Sequence, residues 1–140
     1  MAFAAMATTL KVSGISTTGL IQGISTEAID AGHSVRLVSG SNRYEIANSD
    51  ATGTADMAGV ALNSTLGADQ PVFIAPPGFT LTTLSGLVAG TAYFLGGAAD
   101  QGDIGLFADL ATPNYFATIV GIALTTTTFY IIGYATGAVQ

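Results

Sequence analysis

The last 31 residues of the chain, positions 110–140, contain no charged side chain. Such a stretch either crosses a membrane or is buried in a folded domain. A membrane helix needs about 20 predominantly apolar residues, and residues 115–134 approach that length. However, residues 125–128 at the centre are four threonines, and no Lys or Arg flanks the segment to orient it in a bilayer. These features argue against a membrane helix.

The same segment predicts a β-hairpin, because Thr, Val, Ile, Phe and Tyr favour strands. Residues 117–124 form the first predicted strand, the threonines form the turn region, and residues 129–134 form the second strand. Side chains alternate between the two faces of a strand. Here both faces are apolar, which is typical of a strand covered on both sides: Val120, Ile122 and Leu124 on one face, Ile119 and Ala123 on the other.

An internal similarity supports the hairpin. The segment "ADMAGVALNST" (residues 55–65) is similar to "ATIVGIALTTT" (residues 117–127). Both contain Ala-x-x-x-Gly-[Val/Ile]-Ala-Leu followed by small polar residues. The first copy precedes "PPG" (residues 76–78), which cannot continue a helix and indicates a turn after a strand. We therefore expect each copy to be a strand that leads into a turn.

The rest of the chain shows short apolar or alternating segments separated by turn residues, without a sustained 3.6-residue period. A hairpin is predicted in "HSVRLVSGSNRYEIA", with Val35 and Leu37 on one face and Arg36 on the other. The fold class predicted is all-β, a small sandwich or barrel of about nine to eleven short antiparallel strands. We expect a single β domain over residues 10–140, preceded by a less ordered N-terminal arm at residues 1–9.

Composition narrows the possible partners. Charged residues make up 9% of the chain, against about 25% in ordinary soluble proteins. The net charge is −6, and the three bases are Lys11, Arg36 and Arg43. They are too few and scattered to neutralise nucleic-acid phosphates or an anionic membrane, so neither partner is expected. The chain has no cysteine, which excludes disulfides and thiolate zinc sites. The N-terminus lacks a basic region and a continuous apolar run, so we expect synthesis and use in the cytoplasm of the producing cell.

No catalytic or cofactor-binding signature is present, and we predict a protein that is not an enzyme and has no cofactor. His33 would need a nucleophile and an orienting group to act as a base, and Ser34 points the opposite way on a strand. Asp100 and Asp103 have a spacing that could help to hold Ca²⁺, but a hairpin turn is the favoured interpretation. No catalytic or metal residue is therefore assigned. The five tyrosines are expected to be half-buried strand residues: Tyr44, Tyr93, Tyr115, Tyr130 and Tyr134.

The second half of the sequence resembles the small capsid decoration, or cement, proteins of tailed bacteriophages. The resemblance covers roughly residues 28–137 and consists of strand and turn patterns. A Gly-Val-Ala strand precedes a Pro/Gly turn, a "Leu-x-x-Gly-x-x-Tyr-φ-Leu" strand follows (φ is apolar), and a "Val-Gly-φ-Ala" hairpin closes the pattern. The matching residues are Leu87, Gly90, Tyr93, Leu95, Gly102, Val120, Gly121, Ala123 and Thr126.

This resemblance implies a virion structural protein located on the outer capsid surface. It implies a homotrimer that binds the major capsid protein and stabilises the mature lattice. An apolar arm carrying Phe3, Met6 and Leu10 could contact the capsid or a neighbouring subunit. The alternative is a tail-fibre or spike module that binds a host surface glycan. A third interpretation, a small β-rich hydrolase, is disfavoured because no pair of nucleophile and base is evident in the sequence.

Overall fold

The computed structural model describes residues 11–12, 19–51, 53–82, 84–97, 100–110 and 115–139. These residues form an all-β structure with one short 3-10 helix, Phe107–Leu110, so the predicted fold class is confirmed. The strands are β1 (Lys11–Val12), β2 (Ile21–Ser25), β3 (Ser34–Leu37), β4 (Arg43–Ile46), β5 (Gly59–Ala61), β6 (Pro71–Ala75), β7 (Thr80–Thr82), β8 (Ala92–Leu95), β9 (Ile104–Gly105), β10 (Phe116–Ala123) and β11 (Phe129–Val139).

The uncharged tail forms the predicted hairpin from β10 and β11. The threonine turn is closed by the Leu124 N–H, which donates to Thr128 O at 2.9 Å. Within it, the Thr125 hydroxyl accepts the N–H groups of Thr127 and Thr128 at 3.2 and 3.1 Å. Four threonines suit this turn because a hydroxyl can take the place of a backbone acceptor. None of the helices in the described ranges is long and apolar enough to span a bilayer.

The strands form two sheets. Strands β2, β4, β3, β5 and β6 close into a five-stranded barrel, and β1, β7, β11, β10, β8 and β9 form an open six-stranded sheet in that order. One core cluster combines barrel residues such as Val60 and Ala75 with sheet residues such as Leu81 and Phe129. A second cluster, which includes Val35 and six further side chains, fills the barrel. The barrel and the sheet therefore share buried apolar surface.

The pairing pattern of the barrel strands is repeated by the sheet strands in the same chain order. In the first half (residues 20–75), β3 pairs with β4 and β5, β5 pairs with β6, and β6 pairs with β2, all antiparallel. In the second half (residues 80–139), β8 pairs with β9 and β10, β10 pairs with β11, and β11 pairs with β7, all antiparallel. The chain is thus built from two copies of one five-strand unit.

The two copies also agree in register. Val35 of β3 lies opposite Gly59 of β5, and Tyr93 of β8 lies opposite Gly121 of β10. Gly59 and Gly121 are the glycines shared by the two similar segments of the sequence. A Cβ at Gly59 would lie 2.2 Å from Ala75 O, and one at Gly121 would lie 2.1 Å from Tyr130 O. Each glycine therefore allows the neighbouring strand to approach closely.

The turns before β3 and β8 are equivalent as well. Gly32 and Gly90 have φ values of 96° and 79°, which favour glycine because a side chain is strained there. The N–H of Gly32 donates to Ala61 O at 2.8 Å, and the N–H of Gly90 donates to Ala123 O at 2.7 Å. Both turns are therefore fastened to the equivalent strand of their own half.

The halves differ in closure. In the first half, β2 also pairs in parallel with β4, through Ile24 opposite Arg43 and Ser25 opposite Tyr44, and this pairing closes the barrel. In the second half, the corresponding β7 has three residues and β9 has two. The free edge of β7 pairs instead with β1, so the sheet stays open.

The face assignment made from strict alternation in β10 is wrong. Val120 and Ala123 are both buried, whereas Ile119 and Ile122 lie on the opposite face, because the register shifts between Ile119 and Gly121. Such a bulge changes which side chains share a face. The grouping of Val35 with Leu37 agrees with the register, which places them opposite Ile46 and Tyr44. Leu37 is 45% exposed because it is the last residue of β3.

Candidate interaction surface

The side of the six-stranded sheet that faces away from the barrel carries two rows of side chains. In the first row, Thr80 lies opposite Tyr130, Tyr130 opposite Ile122, and Ile122 opposite Ala92. The second row runs from Tyr134 through Ile119 to Phe94. Phe107 of the 3-10 helix extends this row, with its ring centroid 5.3 Å from that of Phe94. We call these residues the outer face: Thr80, Ala92, Phe94, Phe107, Ile119, Ile122, Tyr130 and Tyr134.

No residue of the outer face is charged, and strands β7 to β11 contain no Asp, Glu, Lys or Arg. Three of its aromatic side chains are the most open: Tyr134 is 59% exposed, Phe107 51% and Tyr130 40%. Residues that alternate with these along the strands lie on the opposite side of the sheet and pack in the core shared with the barrel: Leu81, Tyr93, Leu95, Val120, Phe129 and Ile131. Part of the outer face is covered, because Phe94 packs against the buried cluster of Leu110, Tyr115 and Ala117. Tyr130 and Tyr134 stay open to solvent.

The internal repeat shows what the same positions do in the first half. Register places Ser34, Val60 and Ala75 at the positions of Ala92, Ile122 and Tyr130. Those three residues are fully buried, and Val60 and Ala75 belong to the core cluster shared with the six-stranded sheet. In the first half, this strip is packed against another β layer. In the second half, the equivalent strip is only partly buried: Ala92 and Ile122 are half-buried, and Tyr130 is exposed.

The two halves also differ in the residue pair that joins β3 to β4 in the first half and β8 to β9 in the second. Arg36 of β3 lies opposite Glu45 of β4, and their side chains form an ion pair. The equivalent pair in the second half is Phe94 opposite Gly105. A charged, solvated position in one half is thus aromatic in the other. A contiguous apolar surface of this kind indicates a site of interaction.

The barrel carries a smaller apolar area. Ile24 of β2 and Phe73 of β6 are 37% and 43% exposed, and the ladder brings these two strands side by side. Leu66, 92% exposed, belongs to a loop fixed beside the end of β2, where the Ser25 hydroxyl donates to Gly67 O at 2.7 Å. We call Ile24, Leu66 and Phe73 the barrel patch.

His33 has protein groups at both ring nitrogens. Its Nδ1 accepts the Asp30 N–H at 3.3 Å, and its Nε2 lies 3.4 Å from Asp103 Oδ1, which makes no hydrogen bond. A carboxylate therefore does lie near the histidine. The Ser34 hydroxyl is buried without a hydrogen-bond partner, so it is not bonded to the imidazole. The pair of nucleophile and base that hydrolysis would need is not formed by these two residues.

Asp100 and Asp103 lie in the expected turn, in which the Asp103 N–H donates to Asp100 O at 3.1 Å. Within the described ranges, no three His, Cys, Asp or Glu side chains come together as a metal site.

Nearby, the Tyr115 hydroxyl donates to Gly97 O at 2.7 Å. Burial raises the pKa of the Tyr115 hydroxyl, and the carboxylates of Asp50 and Asp100 raise it further.

The tyrosines divide into two groups. Tyr44, Tyr93 and Tyr115 are at most 6% exposed, whereas Tyr130 and Tyr134 belong to the outer face. The prediction that all five are half-buried strand residues was therefore too uniform. The sequence could not separate the groups because the burial of each tyrosine depends on which β layer covers its strand.

The predicted contact residues Phe3, Met6 and Leu10 lie outside the described residues, so their role stays a prediction.

An open cleft of about 370 Å³ lies on the barrel side. Its described lining includes Arg36, Asp56 and Met57 but no aromatic ring, whereas a glycan site would be expected to combine aromatic and carboxylate groups.

No family model matches the sequence, and no curated protein is detectably similar to it. The function must therefore be argued from the surface of the molecule and from the sequence patterns described above.

Proposed function

We propose that this protein is a non-enzymatic virion structural protein that binds the outside of the mature capsid lattice as a decoration subunit. One observation carries the proposal: apolar side chains are uncovered on two separate parts of the surface, the outer face and the barrel patch. A component that joins subunits needs more than one contact surface. The sequence resemblance supplies the kind of assembly, and the uncovered surfaces supply the reason to expect partners.

The physical mechanism would be mass action. A subunit that binds only the mature lattice lowers the free energy of that state relative to ruptured or unexpanded shells. Many copies on one shell add their effects. The compact, hydrogen-bonded β structure suits this role, because it holds both surfaces in place without an ordering cost on binding.

Co-sedimentation tests this function. Full-length protein is mixed with decoration-stripped mature heads, and separately with unexpanded proheads, of the phage that encodes it. We expect saturable binding to mature heads at a fixed ratio to the major capsid protein. Leu66→Asp should weaken binding if the barrel patch contacts the lattice, whereas Val88→Asp, which changes another exposed apolar residue, serves as the matched control.

Lack of saturable binding to either particle would contradict the decoration function. Binding of the same soluble protein to host surface glycan would then favour the alternative, a tail-fibre or spike module. Equal binding to proheads and mature heads would contradict specificity for the mature lattice.

A further inference from the structure

We infer that the open edge of β3 at Leu37 binds an extended peptide segment of a partner protein, one that carries a basic side chain beside apolar ones. The segment adds a strand to the barrel wall, and the cleft of about 370 Å³ next to this edge holds it. The inference goes beyond capsid binding and does not depend on it. It rests on an unpaired part of β3, on the contacts that keep the chain from pairing it, and on the chemistry of the cleft.

The backbone groups of β3 alternate between its two neighbouring strands. On the β5 side, Val35 O accepts the Ala58 N–H at 2.7 Å. On the β4 side, the Val38 N–H donates to Arg43 O at 2.9 Å. By this alternation, the N–H and C=O of Leu37 point to the β5 side. No described residue bonds to them there, so a short stretch of strand edge is open.

In the second half, the equivalent edge is paired. Strand β10 begins at Phe116 and continues along β8, so that Ile119 lies opposite Phe94, the equivalent of Arg36. Strand β5 begins only at Gly59, and its ladder with β3 ends at this residue. The five-strand unit therefore has room for a longer strand beside β3, and in the first half the cleft takes its place.

Three contacts hold the segment before β5 away from β3. The Thr118 hydroxyl donates to Ala55 O at 2.6 Å, and the Asn48 N–H donates to Thr54 O at 2.9 Å. Met57 is 8% exposed and packs in the core shared with the six-stranded sheet. Moving this segment onto β3 would break these hydrogen bonds and expose Met57. The missing strand therefore has to come from another chain.

The lining of the cleft indicates the chemistry of that strand. Leu37 and Met57 contribute apolar atoms. Asp56 also lines the cleft, is exposed, and takes part in none of the ion pairs among the described residues. Arg36 is already paired with Glu45, so the unmatched charge in the cleft is negative. Together with the net charge of −6, this favours a segment with Lys or Arg beside apolar residues.

Amide hydrogen exchange of the full chain tests the open edge without a ligand. We expect the Leu37 amide to exchange at least about tenfold faster than the Arg36 amide, because by the same alternation the Arg36 N–H bonds to Glu45 of β4. A Leu37 amide as protected as that of Arg36 would overturn the inference, since the edge would already be paired.

A peptide titration tests binding. The probe is a capped hexapeptide with Val at alternate positions and Thr or one central Lys between them. At up to about 5 mM, it should shift the amide resonances of Leu37 and Ala58 in isotope-labelled full-length protein and slow the exchange of the Leu37 amide. The matched control peptide has the same side chains with alternate backbone nitrogens methylated, so it cannot complete the ladder.

A charge variant tests the basic preference. Asp56→Asn should raise the dissociation constant of the Lys peptide about two- to fivefold. Asp30→Asn, which removes another exposed carboxylate, should leave it unchanged. Equal effects of the two variants would overturn the preference for a basic side chain in the cleft.

The remaining outcomes separate this inference from the proposed function. Equal binding of the methylated peptide, shifts confined to residues outside the cleft, or no binding of the Lys peptide would each overturn the inference. Head binding by a protein whose Leu37 edge ignores the peptide would do so as well and leave the proposed function intact. Peptide binding at Leu37 by a protein that ignores heads would do the reverse.

Discussion

The two halves of the molecule have the same strand order and register but present different surfaces. The first half closes into a barrel and places the Arg36–Glu45 ion pair on its wall. The second half stays open and has Phe94 and Gly105 at those positions. The backbone pairing is retained while the outward side chains change from charged to aromatic. This difference indicates that the outward positions carry the specific role of each half.

The halves also show how one unit serves two kinds of packing. The strip of Ser34, Val60 and Ala75 is fully buried within the chain, whereas Ala92 and Ile122 are half-buried and Tyr130 is exposed. Closure of the barrel depends on the parallel contact between β2 and β4. The shorter β7 and β9 do not reproduce that contact in the described structure. An open sheet leaves a flat surface available for a partner.

The largest expected loss of stability tests whether Gly59 and Gly121 play equivalent roles in the two halves. Gly59→Ala and Gly121→Ala should each destabilise the protein by about 3 kcal/mol or more, because the added Cβ meets a carbonyl oxygen of the next strand. Denaturant unfolding measures both. Gly53→Ala is the control, since nothing lies within 4 Å of its Cβ position. Full stability of either β-strand variant would refute the equivalent roles of the two glycines.

The next largest effect concerns a backbone N–H in the turns before β3 and β8. In both halves, a side chain accepts a hydrogen bond from this N–H. The Asp30 N–H donates to His33 Nδ1 at 3.3 Å, and the equivalent Val88 N–H donates to the Tyr93 hydroxyl at 3.0 Å. Tyr93→Phe should cost about 1–2 kcal/mol of unfolding free energy, because the partly buried Val88 N–H loses its acceptor. His33→Ala should cost less, because the Asp30 N–H is exposed and can bond to water. His33→Asn, which keeps an acceptor, should recover part of the loss. Wild-type stability in Tyr93→Phe would argue against this turn contact.

A pH-dependent effect is expected where the halves meet. Because the pKa of Tyr115 is raised above its usual value of 10.0, the folded state retains this proton where the unfolded state has lost it. The stabilisation is therefore present below pH 10 and is lost as pH rises through the folded-state pKa. Tyr115→Phe should cost about 1 kcal/mol near neutral pH and show a shallower loss of stability in alkaline solution. Parallel curves for the two proteins, measured by urea unfolding from pH 8 to 11, would contradict this.

The smallest expected effect is the coupling energy of the Arg36–Glu45 ion pair, whose positions are occupied by Phe94 and Gly105 in the second half. Arg36 and Glu45 are partly exposed, with side chains 19% and 33% accessible, so solvent screens their attraction. A double-mutant cycle with Arg36→Met and Glu45→Gln should give a coupling below about 1 kcal/mol. A coupling of several kcal/mol would mean that the pair stabilises the barrel and is more than a solvated surface feature.

Much of the secondary structure was predictable from local chemistry. Strand-forming residues at 117–124 and 129–134, separated by four threonines, predicted the β10–β11 hairpin, and "PPG" after β6 predicted the turn that ends it. The similarity of residues 55–65 and 117–127 correctly paired Gly59 with Gly121. These predictions succeed because alternation, turn residues and glycine act within a few neighbouring residues.

The candidate surface was only partly predictable. The sequence showed that both faces of the last hairpin are apolar, but strict alternation grouped Val120 with Ile122. A bulge in β10 separates them, and it depends on how two strands pair. The division of the tyrosines into buried and exposed groups likewise follows from which layer covers each strand.

By itself, the sequence determined a sparsely charged, strand-rich chain with one short internal similarity and no reactive constellation. The tertiary structure alone decided that the similarity belongs to a complete five-strand repeat, that the first copy closes, and that the second leaves its outer face open. The physical reason is that strand pairing is set by backbone hydrogen bonds and register, which persist when side chains diverge as far as Arg36 and Phe94.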